Sequence, residues 1–151
     1  MSDFVKASHV FVDVDVATVD EALEFLAKKA AELGICDTEE HALAGLKERE
    51  SLGPTGMQHG FAIPHCKSDA VNGAAIIAVK FANDVSWESM DGKPIKTAVA
   101  LFVPNNKVGT TYLRILSQIA VMLMSEEYRE RITSSDDPKV IAAVLNEGIE
   151  V

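Results

Sequence analysis

Two apolar runs, Ala74-Ala-Ile-Ile-Ala-Val79 and Ala98-Val-Ala-Leu-Phe-Val103, constrain the fold of this chain more than any other feature. Neither alternates polar with apolar residues. Strands of that kind are buried on both faces, which requires helices above and below the sheet. The chain has 151 residues, close to the size of one domain, and its 48% hydrophobic content suffices for a sizeable core. The expected fold is therefore α/β: a single domain over residues 1–151, with a mixed, mostly buried sheet flanked by helices on both faces and a small β-ribbon.

The rest of the chain supplies the other elements. Val10, Val12, Val14 and Val16 alternate with Asp13 and Asp15, which predicts a half-buried edge strand with the four valines on one face. Thr18 and Glu21 have the spacing of a capping box. The stripe Val19, Ala22, Leu23, Leu26, Ala30, Leu33 then predicts a helix closed by Gly34. Thr38 starts a second helix with Ala42, Leu43 and Leu46 inward, and Gly53-Pro-Thr-Gly56 breaks it. Ser68 to Val71 reads as one helical turn. Val85-Ser-Trp87 and Lys93-Pro-Ile95 flank a glycine turn and form the expected ribbon, in which Trp87 is structural. Thr111 to Met124 carries the broadest apolar stripe and should lie against the sheet. Ser125 and Asp136-Asp-Pro138 start two closing helices.

The charge balance excludes some functions. Fourteen basic against 23 acidic residues give a net charge of −9, which disfavours a phosphate backbone, so no nucleic-acid partner is expected. No apolar run is long enough for a bilayer and the N-terminus has no signal-peptide pattern, so the expectation is a soluble, cytoplasmic protein without membrane insertion. Cys36 and Cys66 have neither CxxC nor paired spacing; each reads as a small buried residue. The composition is silent on oligomeric state.

Chemistry concentrates at Gly60-Phe-Ala-Ile-Pro-His-Cys-Lys-Ser68. A short strand ends at Pro64, which places His65 in a loop at a strand's carboxyl end, where α/β sheets build their sites. Histidine there can serve as nucleophile, base or metal ligand. His59 lies nearby, but no third ligand follows with suitable spacing, so neither a metal nor a cofactor is expected. His9 and His41 read as surface or edge residues. Lys67 is either a counter-charge for an anion or a solvated lysine. Arg49, on local sequence alone, pairs with Glu48, Glu50 or a neighbouring helix. Thr110 and Thr111 open the long helix, whose free N–H groups suit an anion, and either threonine can also serve as its cap. Tyr112 either donates its hydroxyl to such an anion or packs as the first residue of the stripe. Met57 and Phe61 belong to an apolar docking patch or to the core.

An ordered set of these residues resembles the enzyme IIA domain of the bacterial sugar phosphotransferase system, fructose/mannitol type. The pieces are Arg49-Glu50, Thr55-Gly56, Gly60-Phe-Ala-Ile-Pro-His65, Lys67-Ser-Asp-Ala-Val71, Val85-Ser-Trp87, Met90-Asp-Gly-Lys-Pro94, Val103-Pro104, Leu113-Arg-Ile-Leu-Ser117 and Leu123-Met-Ser-Glu-Glu127. The resemblance implies that His65 accepts a phosphoryl group from the phosphocarrier HPr and passes it to a IIB component, with Arg49 in the site. It thereby implies a phosphotransferase component and phosphoprotein that works through a phosphohistidine. Relatives commonly carry a second histidine where this chain has Tyr112, which leaves open an alternative: a regulatory module whose phosphorylation state controls binding to a protein partner. A carrier also needs a fixed acceptor on the second imidazole nitrogen to set the tautomer, and such an acceptor is expected beside His65. A free-standing carrier must find donor and acceptor by transient docking, and its negative charge would attract a basic donor face.

Overall fold

The computed structural model describes residues 4–105 and 110–150. A short 3-10 turn, Ala7–His9, leads into β1 (Val10–Val14), followed by α1 (Val19–Glu32) and α2 (Glu39–Ser51). Next come β2 (Phe61–Ala62), β3 (His65–Lys67), β4 (Ala75–Val85) and β5 (Ile95–Val103). The chain then turns helical through α3 (Thr110–Leu123), α4 (Glu126–Thr133) and α5 (Pro138–Gly148). The strands form one mixed sheet in the order β1-β4-β5, with β2 and β3 in succession along the far side of β5. The β4–β5 pair is antiparallel; β1 with β4, and β2 and β3 with β5, are parallel.

The two apolar runs divide the molecule as their patterning requires. Ile76 and Ala78 of β4 and Val99, Leu101 and Val103 of β5 face a core completed by α3, α4 and α5. Ile77 and Val79 with Ala98, Ala100 and Phe102 face the opposite core, completed by α1 and α2. Successive residues of a strand point to opposite faces, so each run feeds both cores. The expected ribbon is not a separate unit. After a register shift beyond Lys80, β4 continues to Val85, which pairs with Ile95 at the start of β5, so the ribbon is the far end of the β4–β5 hairpin.

Local signals set the helix ends. Thr18 and Glu21 form a reciprocal capping box at α1, and Gly34, at φ 74°, follows its C-terminus. Thr38, Ser125 and Asp137 cap α2, α4 and α5, the last with Pro138 in its first turn. Ser68–Val71 is a turn rather than a helix: Val71 N–H donates to the Ser68 carbonyl and Ala70 N–H to the Ser68 hydroxyl.

The four valines of β1 do not share a face. Val10 and Val12 join the core of α3–α5, whereas Val14 and Val16 join that of α1–α2. Between Phe11, opposite Val79, and Val14, opposite Phe81, β1 spends one residue more than its partner, and Asp13 has φ 57°. That bulge reverses the alternation, an option open to an edge strand. Sequence periodicity cannot register it.

Glu50 ties the end of α2 to the approach to β2. Its carboxylate accepts from the Thr55 N–H (2.8 Å), the Thr55 hydroxyl (2.6 Å) and the Trp87 indole N–H (3.1 Å). Trp87 is structural, as expected. Gly56 follows, where a Cβ would lie 2.3 Å from the Glu88 carbonyl oxygen, a backbone atom that cannot step aside. At Gly148 a Cβ would meet only the end of the flexible Met122 side chain. Gly56→Ala should therefore lower stability by roughly 1–3 kcal/mol and Gly148→Ala by clearly less. Glu50→Ala should cost roughly 2–4 kcal/mol, because it strands three donors. Urea unfolding of the three variants checks the order; equal midpoints for Gly56→Ala and Gly148→Ala would contradict it.

Candidate functional site

The segment expected to end at Pro64 runs on. Phe61 lies opposite Thr97 and Ala62 opposite Ala98; after Ile63 and Pro64, His65 lies opposite Leu101 and Lys67 opposite Val103. The register is unchanged across the gap, so β2 and β3 are one edge interrupted by a residue with no N–H. Proline is tolerated because this is an edge, and its carbonyl still accepts from Leu101 N–H at 2.9 Å. His65 therefore opens a strand instead of lying in a loop.

That register decides which way each side chain points. Phe61, Ile63 and His65 share the face of Leu101, towards α3, while Ala62 and Cys66 share the face of Phe102, towards α2. His65 and Cys66 thus stand on opposite sides of the sheet, as extended backbone requires. The His65 ring meets Tyr112, in the first turn of α3, edge-on with centroids 5.9 Å apart. The Lys67 ammonium lies 4.8 Å from the Tyr112 ring centroid. Arg49, in the last turn of α2, donates at 2.8 Å to the Gly53 carbonyl, and its charge acts on the Tyr112 phenol. Four of the residues singled out from sequence, His65, Arg49, Tyr112 and Lys67, come together from three elements.

Neither cation is neutralised. Glu50 is committed to Thr55 and Trp87, and among the described residues no carboxylate pairs with Arg49 or Lys67. Tyr112 packs: it is buried, and the Arg49 guanidinium acts on its phenol. Burial pushes the Tyr112 phenol up, against the opposing pull of Arg49. Burial, with the positive charges of Arg49 and Lys67, lowers the His65 pKa to about 4. At neutral pH the ring is uncharged and keeps a lone pair.

Two features differ from expectation. His65 is only 5% exposed, so the ring is shielded at the sheet edge rather than open at its rim. Neither ring nitrogen has a hydrogen-bond partner among the described residues, so the acceptor expected to set the tautomer is not found there. A buried imidazole with both nitrogens idle costs stability, and natural proteins seldom retain such a group without a use. Thr110 begins α3, but the side chains of Thr110 and Thr111 lie outside the described residues.

Other candidates fall elsewhere. His59 is in the turn before β2, at φ 62°, with its N–H on the Asp91 carboxylate. It lines an open hollow of about 190 Å³ with Met57, Met90, Leu123 and Met124, at the C-terminal end of α3, whereas His65 meets the N-terminal end. Among the described residues no group of three or more His, Cys, Asp or Glu side chains is arranged to hold a metal ion. Phe61 is core, and Met57 is half-buried in that hollow. The exposed apolar residues nearest in sequence to the site are Leu52, just past Arg49, and Leu113, just past Tyr112. No helix among the described residues is long and apolar enough to cross a membrane. Sequence reasoning missed that Cys36 and Cys66, both buried, share the core of α1 and α2. Their spacing carried no signal of it.

The chain and its fold are similar to several known proteins. The chain is 35% identical over 134 residues to the PTS system fructose-specific EIIA component of Haloferax volcanii, covering 89% of this chain and 86% of that protein. It is 30% identical to the nitrogen regulatory protein of Bradyrhizobium diazoefficiens, covering 96% and 94%. It also matches the PTS system 2-O-alpha-mannosyl-D-glycerate-specific EIIABC component of Escherichia coli, at 34% identity over 85% of this chain, but spans only 20% of that protein's length. Among solved structures, the nitrogen regulatory protein IIA-Ntr of Neisseria meningitidis superposes with a TM-score of 0.87 at 26% identity, over 95% of this chain and 97% of that one. IIA mannitol of Escherichia coli, at 19% identity, shares the fold with a TM-score of 0.78 over 93% and 98%. The model of the family described as "Phosphoenolpyruvate-dependent sugar phosphotransferase system, EIIA 2" matches residues 3–148, and the chain belongs to that family.

Proposed function

We propose that this chain is a phosphoryl carrier in which His65 accepts a phosphoryl group from HPr and hands it to a IIB component. The observation that carries the reading is the uncharged imidazole of His65 beside two cations, Arg49 and Lys67, that have no carboxylate partner among the described residues. A neutral ring nitrogen attacks phosphorus as the phosphorus–nitrogen bond of the donor phosphohistidine breaks, and the reverse exchange delivers the group onward. Such a transfer leaves the protein chiefly positioning and charge stabilisation. The Arg49 fork can grip two phosphoryl oxygens, and Lys67 adds a point charge. Tyr112 holds the guanidinium in place and covers the ring. Because both ring nitrogens are shielded, access is the step that docking must bring about, and Leu52 and Leu113 offer apolar surface for it. Such transfers take place in the cytoplasm, which is the compartment we assign.

A second reading has its own observation. Tyr112 stands where relatives commonly carry a second histidine, and the chain aligns along nearly its whole length with a nitrogen regulatory protein. In that reading the phosphorylation state of His65 switches binding to a regulatory partner. Transfer from the phosphorylated protein to a IIB component would count against a purely regulatory role.

With enzyme I, HPr and phosphoenolpyruvate, the protein should gain the mass of one phosphate and His65→Ala should gain none. Arg49→Ala should slow uptake by about 10²-fold, as for loss of one preorganised charge-stabilising donor, and Tyr112→Phe by much less. An unmodified wild-type protein, or a phosphorylated His65→Ala, would defeat the proposal.

The low His65 pKa gives a pH signature. The unfolded ring takes its proton near the ordinary 6.5 and the folded ring only near 4, so between those values the unfolded state binds more protons. Stability from this group is complete above about pH 6.5 and is lost as pH falls towards 4, on the order of 3 kcal/mol in all. His65→Gln should lack that loss, so its unfolding free energy should fall less steeply across the window. The His65 ring proton signal should titrate near pH 4; a midpoint near 6.5 would refute the assignment.

A further inference from the structure

We propose that the outer face of α3 is an interface between two copies of this chain, with the two helices packed antiparallel about a two-fold axis. α3 has two apolar faces where a surface helix has one. Tyr112, Ile115, Ile119, Met122 and Leu123 face the sheet and are buried. The opposite side carries Leu113, Ser117, Ala120, Val121 and Met124. Leu113 is 59% exposed, Val121 64% and Met124 78%. No charged residue occurs from Ile115 to Ser125, in a chain that is 25% charged. A helix with one face in water places its charges on that face, whereas one that is apolar all round is covered all round.

The pattern along this ridge identifies what covers it. Leu113, Ser117, Ala120 and Met124 are spaced four, three and four residues apart, the repeat along which two helices stay in contact. Large residues stand at the ends and small ones in the middle. Laid antiparallel on itself, the ridge sets Leu113 of each copy beside Met124 of the other. The small Ser117 and Ala120 then let the two axes approach closely at the centre. A hollow of about 190 Å³ flanks Ala120 and Met124 and is walled by Met57 and Met90, which gives the arriving Leu113 a socket. That wall is fixed by the backbone, since Met90 N–H donates to the Met57 carbonyl at 3.2 Å. On the other flank a hollow of about 360 Å³ lies beside Ser117 and Val121.

Charge favours the same pairing. Arg114 lies at one end of the ridge, and Glu126, the first residue of α4, follows the other end. Both are exposed, and neither has an ion-pair partner among the described residues. Antiparallel packing brings Arg114 of each copy towards Glu126 of the other, twice by symmetry. A parallel pair would set like beside like, and a basic partner protein would meet Arg114 as a like charge. The contact is one helix wide, so the dimer is reversible rather than obligate. Pairing also covers Leu113, one residue past Tyr112 and part of the apolar surface offered above for docking. Dimer and phosphoryl donor therefore compete for it; this consequence rests on the carrier reading.

Sedimentation equilibrium over about a hundredfold range of concentration should show monomer at the low end and a reversible dimer at the high end. Val121→Glu, an exposed change that leaves the core untouched, should stay monomeric. Arg114→Glu alone and Glu126→Lys alone should each weaken association about tenfold or more, and an equimolar mixture of the two should pair, because both contacts then join opposite charges. A monomer at every concentration would overturn the proposal and leave the ridge to a different protein. So would a dimer indifferent to Val121→Glu, or charge variants that do not rescue one another. Phosphate uptake per molecule from phosphorylated HPr should fall as wild-type protein enters the dimer range, while Val121→Glu keeps the rate of dilute wild type. A rate that does not fall would overturn the competition. Dilute wild type that takes up no phosphate would sink the carrier reading, and sedimentation would still decide the dimer.

Discussion

The structure depends on β4 and β5 being buried on both faces. Each strand alternates its side chains between two separate cores, one roofed by α1 and α2 and the other by α3, α4 and α5. Everything paired to β5 inherits that alternation. Because His65 is held opposite Leu101, its ring is delivered to the α3 side, where Tyr112 stands. Because Cys66 is held opposite Phe102, its sulfur is delivered to the α2 side, where Cys36 stands. A slip of one residue would exchange the two and leave a thiol facing Tyr112.

The site then follows from a conflict between burial and charge. The chain carries net −9, yet among the described residues Arg49 and Lys67 have no carboxylate partner, and they stand around a ring with little exposure. Each factor acts against protonation of His65. A second positive charge in that space is disfavoured, while an added anion would relieve both cations at once. The phosphoryl group proposed for the ring would do this, and would offset an arrangement that costs stability when empty. Glu50 contributes indirectly: by binding Thr55 and Trp87 it is kept away from its neighbour Arg49.

Much of this was legible from local patterns. Thr18 with Glu21, Thr38, Ser125 and Asp137-Pro138 mark helix starts through side chains that satisfy N–H groups within a few residues, so sequence spacing is sufficient. The motif ending in His65 was equally plain. Patterns were misleading where strand pairing intervened. The valines of β1 alternate perfectly in sequence, but one extra residue at the edge sends half of them to the other core. Pro64 looked like the end of a strand, yet an edge needs no N–H there, so the strand resumes with His65.

The sequence by itself determined the succession of elements and the two-sided sheet, and it singled out His65 as the candidate for chemistry. These depend on hydrophobic periodicity and on contacts between near neighbours. Only the tertiary structure decided that Arg49 would lie beside Tyr112, that Glu50 would bind Thr55 and Trp87, that the His65 ring would be shielded with no partner for its nitrogens among the described residues, and that Cys36 and Cys66 would share one core. Those contacts join residues from different elements, and their geometry is set by register along β5 and by how closely α2 can lie on β3 over Gly45. No spacing along the chain encodes either distance.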